Sequence, residues 1–315
     1  MKTLIIGAGG QLGKCIRDVV EQTVLKNINK EYYFATHDDF DITDKSSMVN
    51  YMYCHFIPDY IVNCAAYTNV EKAEDDVYGA FKVNLMGVKN LVDICEEYNI
   101  ALIHISTDYV YKSKIGPINE DDQIEPINIY GESKRDGELQ IINSNLKNWY
   151  IFRTSWLYSE YDNNFVTKMI TNYKKSSKLY GVADEIGSPT YARKLAMCII
   201  DILENIYYEN GDMKSIPSGI YNFSGLGCCS RLKFAETIID GISHTEHSVT
   251  PITQYEAEKM WNLKAQRPNN TVLDNTKINL ALKTLYKGTY ALRDNWHIDL
   301  AECLNRYDEL QKEKH

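Results

Sequence analysis

The stretch GAGGQLG, residues 7–13, decides the fold, because it lies between a β-rich run at Met1–Ile6 and an amphipathic stretch from Leu12 to about Val24. Glycines at these spacings permit a tight turn and bring backbone N–H groups close to a pyrophosphate. The helix that follows would then direct its N-terminus at the phosphates. Three glycines also occur in turns that bind nothing, but the position between a strand and a helix favours a dinucleotide site.

Outward from this loop, apolar strand-like runs alternate with helical stretches such as Asp75–Tyr98. This alternation predicts an α/β fold, a Rossmann-type doubly wound parallel sheet with a smaller α/β substrate-binding lobe. We expect a dinucleotide-binding domain at residues 1–156 with returning segments near 190–225, a substrate-binding lobe at 157–189 and 226–300, and a C-terminal helix end or tail at 301–315. The further strand-like runs are Tyr32–Ala35, Tyr60–Ala66, Ala101–Ile105, Trp149–Arg153 and Gly219–Phe223, and a further helical stretch is Arg231–Ile242.

Composition excludes several classes of partner. The 315 residues include 43 acidic and 34 basic side chains, a formal net charge of -9 that disfavours binding to nucleic acid. The eight cysteines lack CxxC spacing and no signal-peptide pattern precedes them, so we expect reduced thiols, no metal site and a cytoplasmic protein. No apolar run approaches the length of roughly 20 residues that spans a bilayer, so no membrane association is expected.

Two motifs contain candidate residues for donating a proton to a substrate. HISTDYVY (104–111) ends a predicted strand, and YGESK (130–134) follows at a helix start. Tyr130 and Lys134 are four residues apart and share a helix face, where an ammonium lowers the pKa of a phenol. The hydroxyl of Thr107 would add a second donor to a substrate carbonyl oxygen that gains charge during hydride transfer. A Tyr/Lys pair alone is more often a surface pair, and the specific signal is its combination with Thr107.

The second strand leaves the choice of cofactor open. It ends near Thr36 and His37, and neither is the carboxylate of an NAD-specific site nor the arginine of an NADP-specific one. Either NADPH or NADH is therefore expected. Asp41, in DITD (41–44), is placed to reach an adenine or, equally, Asp41 or Thr43 caps the helix that follows.

Over roughly three quarters of its length the chain resembles the dTDP-4-dehydrorhamnose reductase family, a family of extended short-chain dehydrogenases/reductases. The resemblance implies reduction of a nucleotide-linked 4-keto-6-deoxysugar, dTDP-4-dehydro-L-rhamnose to dTDP-L-rhamnose, for surface polysaccharide precursors. Besides the glycine loop, DITD, STDYVY and YGESK, it rests on NCAAYTNVEKAE (63–74), VNLMGVKNL (83–91), PINIYGESKRDGE (126–138), RTSW (153–156), NNF (163–165) and GSPT (187–190).

The same resemblance implies roles for individual residues. Tyr130 would be the proton donor, Thr107 its partner at the carbonyl, and Lys134 would join Tyr130 in contacting the nicotinamide ribose. Cofactor-binding positions would be Gly7, Gly10, Gln11, Leu12, Gly13, Asp41, Ile42, Ala65, Ala66, Tyr67 and Thr68. Substrate-binding positions would be Thr107, Asp108, Trp156, Asn164 and Arg267.

Two departures from the family pattern bear on partners. Gln266 stands where the first of two paired arginines is usual, which leaves Arg267 as a plausible partner for the substrate diphosphate or for a surface carboxylate. Cys15 stands where relatives with a magnesium-bridged dimer carry an acidic residue. A monomer or a metal-free homodimer is therefore expected.

Two other functions remain open on sequence grounds. A sugar-nucleotide epimerase or dehydratase shares the scaffold, but Asp108 is followed by Tyr109 and not by the glutamate of the usual dehydratase pair. A non-catalytic dinucleotide-binding regulatory subunit would keep the fold without turnover, and the complete Thr, Tyr and Lys set argues against it.

Overall fold

The computed structural model describes residues 1–23, 30–175, 178–209, 212–243, 248–286 and 294–313. The predicted end of the first helix at Val24 and the last two residues of the predicted tail lie outside these ranges. The strands are β1 Lys2–Ile6, β2 Glu31–Ala35, β3 Tyr60–Asn63, β4 Ala101–Thr107, β5 Trp149–Thr154, β6 Leu157–Tyr158, β7 Leu179–Val182, β8 Ile186–Gly187, β9 Thr190–Tyr191, β10 Tyr207–Glu209, β11 Asp212–Lys214, β12 Gly219–Asn222, β13 Cys229–Ser230 and β14 Val249–Ile252.

The helices follow the strands in alternation through the first half of the chain. They are α1 Gln11–Thr23, α2 Lys45–His55, α3 Val70–Asp75, α4 Val77–Phe81, α5 Val88–Tyr98, α6 Ile129–Ile142, α7 Phe165–Lys174, α8 Ala192–Glu204, α9 Arg231–Ile242, α10 Gln254–Trp261, α11 Thr276–Tyr286 and α12 Trp296–Lys312. Within the described ranges no helix is long and apolar enough to cross a membrane.

Six strands form the central sheet in the order β12-β5-β4-β3-β1-β2, and every neighbouring pair is parallel. Strand β1 pairs with β2 on one side and with β3 on the other, so the strand order reverses between β1 and β3. Ligands are expected at the carboxyl edge there. The predicted doubly wound α/β fold is confirmed.

Alternation along each strand supplies both faces of the sheet with apolar side chains. Ile5 packs with α1, α8 and α11, whereas Leu4 and Ile6 pack with α2 and α5 on the other face. Helix α11 contributes Ile278 and Leu282 to the sheet core on the face of Ile5. It therefore packs on the central sheet, although its residues fall within the range assigned to the substrate-binding lobe from sequence.

A second apolar cluster lies beside the carboxyl edge of the sheet, between α7, α9 and α12. Phe234 occupies its centre, with Trp156, Phe165 and Trp296 in ring contact with it. Three short strand pairs, β6 with β9, β7 with β14 and β8 with β13, border this cluster. The cluster holds one wall of the cavity described below.

The stretch Asp75–Tyr98 is not the single helix that its sequence predicts. Asp76 accepts a hydrogen bond from the backbone N–H of Gly79 (3.0 Å) and so starts α4 as a new helix. A π-helical turn at Lys82–Gly87 then separates α4 from α5. Such turns occur at functional sites, and this one carries Asn84, whose side chain contacts the segment after β3.

Candidate active site

A cavity of about 870 Å³ lies at the carboxyl edge of the sheet. Its lining includes the glycine loop, the segments that follow β2, β3 and β4, the start of α6, and residues of the second apolar cluster. Of the residues predicted from sequence, it is lined by Gly7, Gly10, Gln11, Leu12, Gly13, Asp41, Ile42, Ala65, Ala66, Tyr67, Thr68, Thr107, Asp108, Tyr130, Lys134 and Trp156.

The glycine loop is shaped for a close approach of backbone to ligand. Gly7 has a φ of +77°, and a Cβ at this position would lie 2.6 Å from the backbone nitrogen of Ala65. A side chain would therefore collide with the segment after β3. Helix α1 starts at Gln11 and has no acidic residue in its first turn. A helix N-terminus without acidic side chains fits the pyrophosphate of a dinucleotide.

The segment after β2 borders the same cavity. Asp41 accepts a hydrogen bond from the backbone N–H of Thr43 (2.8 Å), and its other oxygen lies 3.7 Å from Nε2 of His37. Burial acts to raise the pKa of Asp41, but these partners lower it overall. The cap of α2 is Asp44, so neither Asp41 nor Thr43 has that role.

Asn84, which sequence reasoning did not single out, fixes the segment after β3. Its side chain accepts from the backbone N–H of Tyr67 (2.9 Å) and donates to the carbonyl oxygen of Tyr67 (3.1 Å). A further hydrogen bond joins it to the hydroxyl of Ser133 in α6 (2.9 Å). Asn84 thus connects the predicted cofactor segment with the helix that carries Tyr130 and Lys134.

Thr107, Tyr130 and Lys134 converge on one side of the cavity. Asn128 caps α6 through the backbone N–H of Gly131 (2.8 Å), so that Tyr130 lies in the first turn. Burial raises the pKa of Tyr130 to about 12, and a hydrogen bond with Thr107 opposes that rise. Burial lowers the pKa of Lys134 to about 8. Its amine donates to the carbonyl oxygen of Ile105 at 2.7 Å.

Asp108 lies beside Thr107 and is almost fully buried. Its carboxylate accepts hydrogen bonds from the hydroxyls of Thr271 (2.5 Å) and Thr107 (3.2 Å). Burial raises the pKa of Asp108 to about 6, against the opposing effects of Thr271 and the cation of Arg231. This side chain therefore links the sheet edge to the segment that contains Arg267.

Trp156 also lines the cavity and has a strained backbone, with a φ of +45°. The guanidinium carbon of Arg231 lies 3.6 Å from the centre of its ring, and Nε of Arg231 donates to Glu185 (3.1 Å). Gly187 lies against the ring, where a Cβ would be 2.5 Å from Trp156. Sequence reasoning missed Arg231, which lines the cavity.

Asn164 and Arg267 are engaged elsewhere and do not line this cavity. The side chain of Asn164 caps α7 in a capping box and donates to the carbonyl oxygens of Ser159 (2.8 Å) and Tyr161 (2.9 Å). Arg267 is ion-paired with Glu71 of α3. The sequence-predicted substrate contacts of these two residues stay predictions, and among the described residues Arg231 is the arginine that lines the cavity.

Comparisons with known proteins identify the family. The family model described as the RmlD substrate binding domain matches residues 1–309. A dTDP-4-dehydrorhamnose reductase of Aggregatibacter actinomycetemcomitans is 37% identical over 282 residues, which cover 89% of this chain and 92% of the relative.

Two solved structures share the fold and the sequence family. A dTDP-4-dehydrorhamnose reductase from Clostridium acetobutylicum aligns with a TM-score of 0.82 and 32% identity, over 99% of this chain and 100% of the other. One from Bacillus anthracis, in complex with NADP, aligns with a TM-score of 0.81 and 29% identity, over 97% and 99%. The chain described here belongs to the dTDP-4-dehydrorhamnose reductase family.

Proposed function

We propose that this chain reduces dTDP-4-dehydro-L-rhamnose to dTDP-L-rhamnose with NADPH or NADH, in the synthesis of surface polysaccharide precursors. The observation that carries the proposal is the convergence of Thr107, Tyr130 and Lys134 in one cavity with the glycine loop. Family membership supports the reaction, and the cavity has the residues that the reaction requires.

The bound dinucleotide would supply a hydride to the carbonyl carbon of the sugar. The protein has to stabilise the negative charge that then grows on the carbonyl oxygen and to supply a proton there. Tyr130 is the proton donor, and the hydroxyl of Thr107, which donates to Asp108 in this structure, would turn to donate to the same oxygen. An ammonium at Lys134, one helical turn away, would favour the phenolate that Tyr130 becomes as it gives up its proton.

The side of the cavity lined by Trp156 and Arg231 suits the substrate. Trp156 would contact the deoxysugar with the part of its largely buried ring that lines the cavity, because Arg231 and Gly187 cover other parts of the ring. Arg231 provides the cation for the diphosphate, since guanidinium groups match phosphate oxygens in charge and geometry. Asp108 borders the sugar from the sheet edge.

A dehydratase is the second candidate, and the residue after Asp108 argues against it. Tyr109 is buried there, in edge-on contact with the ring of Tyr130, at a centroid distance of 5.9 Å. Burial raises the pKa of Tyr109 beyond the range in which it could serve as a base. Asp108 is thus without the acidic neighbour that an acid–base pair for water elimination needs.

The function is tested by oxidation of NADPH in the presence of dTDP-4-dehydro-L-rhamnose, with dTDP-L-rhamnose identified as the product.

Tyr130→Phe is expected to lower turnover by about 10²–10⁴-fold at nearly unchanged cofactor affinity. Lys134→Met should impair both, because its ammonium also holds the ribose. Tyr53→Phe, at a side chain that is 70% exposed, is the matched control. A protein that binds NADPH but never consumes it would be a regulatory subunit.

Three further features belong to the proposal. The protein acts in the cytoplasm as a monomer or metal-free homodimer. Residues 1–156, with returning segments near 190–225, form the dinucleotide-binding domain, and residues 157–189 and 226–300 supply most of the substrate lobe. Helix α11 is the exception to that division, because it packs on the central sheet.

A further inference from the structure

A histidine lies directly behind the amine of Lys134. His104 is a fully buried residue of β4, and its register partner on the neighbouring strand β3 is Asn63, which is also fully buried. Nδ1 of His104 lies 3.0 Å from the side-chain nitrogen of Asn63, and Nε2 lies 3.3 Å from Nζ of Lys134. Both ring nitrogens therefore have a partner.

The backbone fixes the orientation of the Asn63 amide. Its oxygen accepts a hydrogen bond from the backbone N–H of Ala65 at 3.0 Å. The amide nitrogen, which can only donate, must therefore face His104. Nδ1 of His104 receives that donor and cannot carry a proton of its own. A neutral imidazole then has its proton on Nε2, which faces the amine of Lys134.

The protonation of Lys134 is coupled to this arrangement. An ammonium has three donors and no lone pair, so it opposes the Nε2–H group, whereas a neutral amine accepts a hydrogen bond from it. We propose that His104 is a positioning residue that carries its proton on Nε2, favours the uncharged amine of Lys134 and so sets the pH above which the enzyme loses its acid. The last step rests on the proposed function of Lys134.

The charged and titratable groups around Lys134 are consistent with this assignment. Burial and the nearby Lys134 keep the pKa of His104 well below its usual range, so the ring is neutral. Burial lowers the pKa of Lys134 to about 8, while Glu138 in the next turn of α6 and Cys64 after β3 act to raise it. Tyr130 is the remaining titratable group on the same helix face.

The carboxylate of Glu138 is bound mainly to Arg153. Its carboxylate forms a two-point ion pair with Arg153, in which Nη2 lies 2.6 Å and Nε 3.0 Å from its oxygens, and it accepts from Ser106. Arg153 and Glu138 are both fully buried. His104 is thus in direct contact with the Lys134 amine. Unlike Glu138, it can be replaced without breaking a buried ion pair.

These contacts determine in which direction the pH dependence of the enzyme should change. Below the pKa of Lys134 the ammonium is present and assists Tyr130, and above that pKa the assistance is lost. His104→Gln offers an amide oxygen to the ammonium, so it should raise the pKa of Lys134 and move the alkaline limb of kcat/KM upward by about one pH unit. Asn63→Asp should act in the same direction, because a carboxylate would draw the imidazole proton to Nδ1 and leave Nε2 as an acceptor.

The tautomer is tested without turnover, by NMR of the full-length protein labelled with nitrogen-15 histidine. The chain has seven histidines, and the His104 signals are those lost in His104→Gln. We expect a neutral ring protonated on Nε2 from pH 6 to pH 9. A proton on Nδ1, or titration of this ring within that range, would overturn the assignment of His104 even if the enzyme reduced no keto sugar.

The functional step is tested by the pH dependence of kcat/KM for His104→Gln, Asn63→Asp and Leu102→Ala. Leu102 is buried two residues before His104 on the same strand face and has no titratable group in its side chain. An upward shift in the first two variants but not in the third supports the proposal. An alkaline limb that stays at the wild-type pH in both, or that moves equally in Leu102→Ala, would overturn it.

Discussion

Thr107 and Thr154 are register partners at the carboxyl ends of β4 and β5, but their hydroxyls are differently engaged. The hydroxyl of Thr107 is hydrogen-bonded to Asp108 (3.2 Å). That of Thr154 borders the same cavity, is buried, and has no hydrogen-bond partner among the described residues. A buried hydroxyl without a partner costs about 1–3 kcal/mol. Its place at the cavity wall points to a ligand as the partner.

We therefore expect Thr154→Val to separate stability from activity. The substitution keeps the shape and removes the unpaired hydroxyl, so the free energy of unfolding should stay constant or rise by about 1 kcal/mol. The value of kcat/KM should fall about 10-fold, and Thr154→Ser should restore it. Chemical denaturation and steady-state kinetics measure the two effects. Equal activity of the Val variant and wild type would show that the hydroxyl binds neither substrate nor cofactor.

The contact of Arg231 with Trp156 leads to a second prediction. Arg231→Lys retains a charge near Glu185 but loses the planar group that stacks on the indole and fits a diphosphate. We expect KM for the nucleotide sugar to rise about 10-fold with kcat and the Kd for NADPH nearly unchanged. Lys233→Arg, an exposed site in the same helix, is the control. A rise in KM only for the cofactor would instead assign Arg231 to the dinucleotide.

The difference between Arg231 and Arg267 shows where sequence reasoning ends. Tyr130 and Lys134 could be paired from sequence because helix periodicity alone puts them on one face, and the glycine loop is a local signal. Arg231 reaches the cavity only through the packing of α9 against Trp156, a contact between distant segments that no local pattern encodes. Arg267 lies in a recognisable motif but is ion-paired with Glu71.

Buried polar residues within apolar runs were the other class that sequence reasoning passed over. His104 interrupts the strand ALIHIST, and Asn84 lies in a stretch that predicts an uninterrupted helix. Each pattern fits an ordinary strand or helix residue equally well. Their partners, Asn63 and Ser133, come from separate segments. A histidine or an asparagine in an otherwise apolar segment is the one sequence signal that could have identified His104 and Asn84.

A third prediction concerns metal ions. Cys15, at the position where an acidic residue is expected in magnesium-bridged relatives, is fully buried against α8. Burial and the nearby Glu160 raise the pKa of its thiol well above the usual range, so it is a poor ligand for a hard cation. We expect activity and molar mass in solution to be unaffected by dialysis against EDTA. Loss of activity that magnesium restores would contradict this.

The last prediction concerns the choice between NADPH and NADH, which depends on the end of β2. A 2′-phosphate requires a cation there, whereas a carboxylate would bind the 2′-hydroxyl and repel the phosphate. Thr36 is hydrogen-bonded to the side chain of Asp39 (3.0 Å), and the ring of His37 is 84% exposed and faces Asp41 at 3.7 Å. Neither Thr36 nor His37 offers a fixed charge to the ribose.

Wild-type kcat/KM values for NADPH and NADH should therefore lie within about two orders of magnitude of each other. His37→Arg should raise the NADPH/NADH ratio of kcat/KM about 10-fold by supplying a permanent cation, and Thr36→Asp should lower it by at least as much. Because these substitutions act in opposite directions at neighbouring positions, general damage to the site cannot mimic both. A wild-type ratio above about 10³, equivalent to roughly 4 kcal/mol, would require a dedicated 2′-recognition group elsewhere in the cavity. Lys82, which lines the cavity and lowers the pKa of Asp41, would then be the residue to replace.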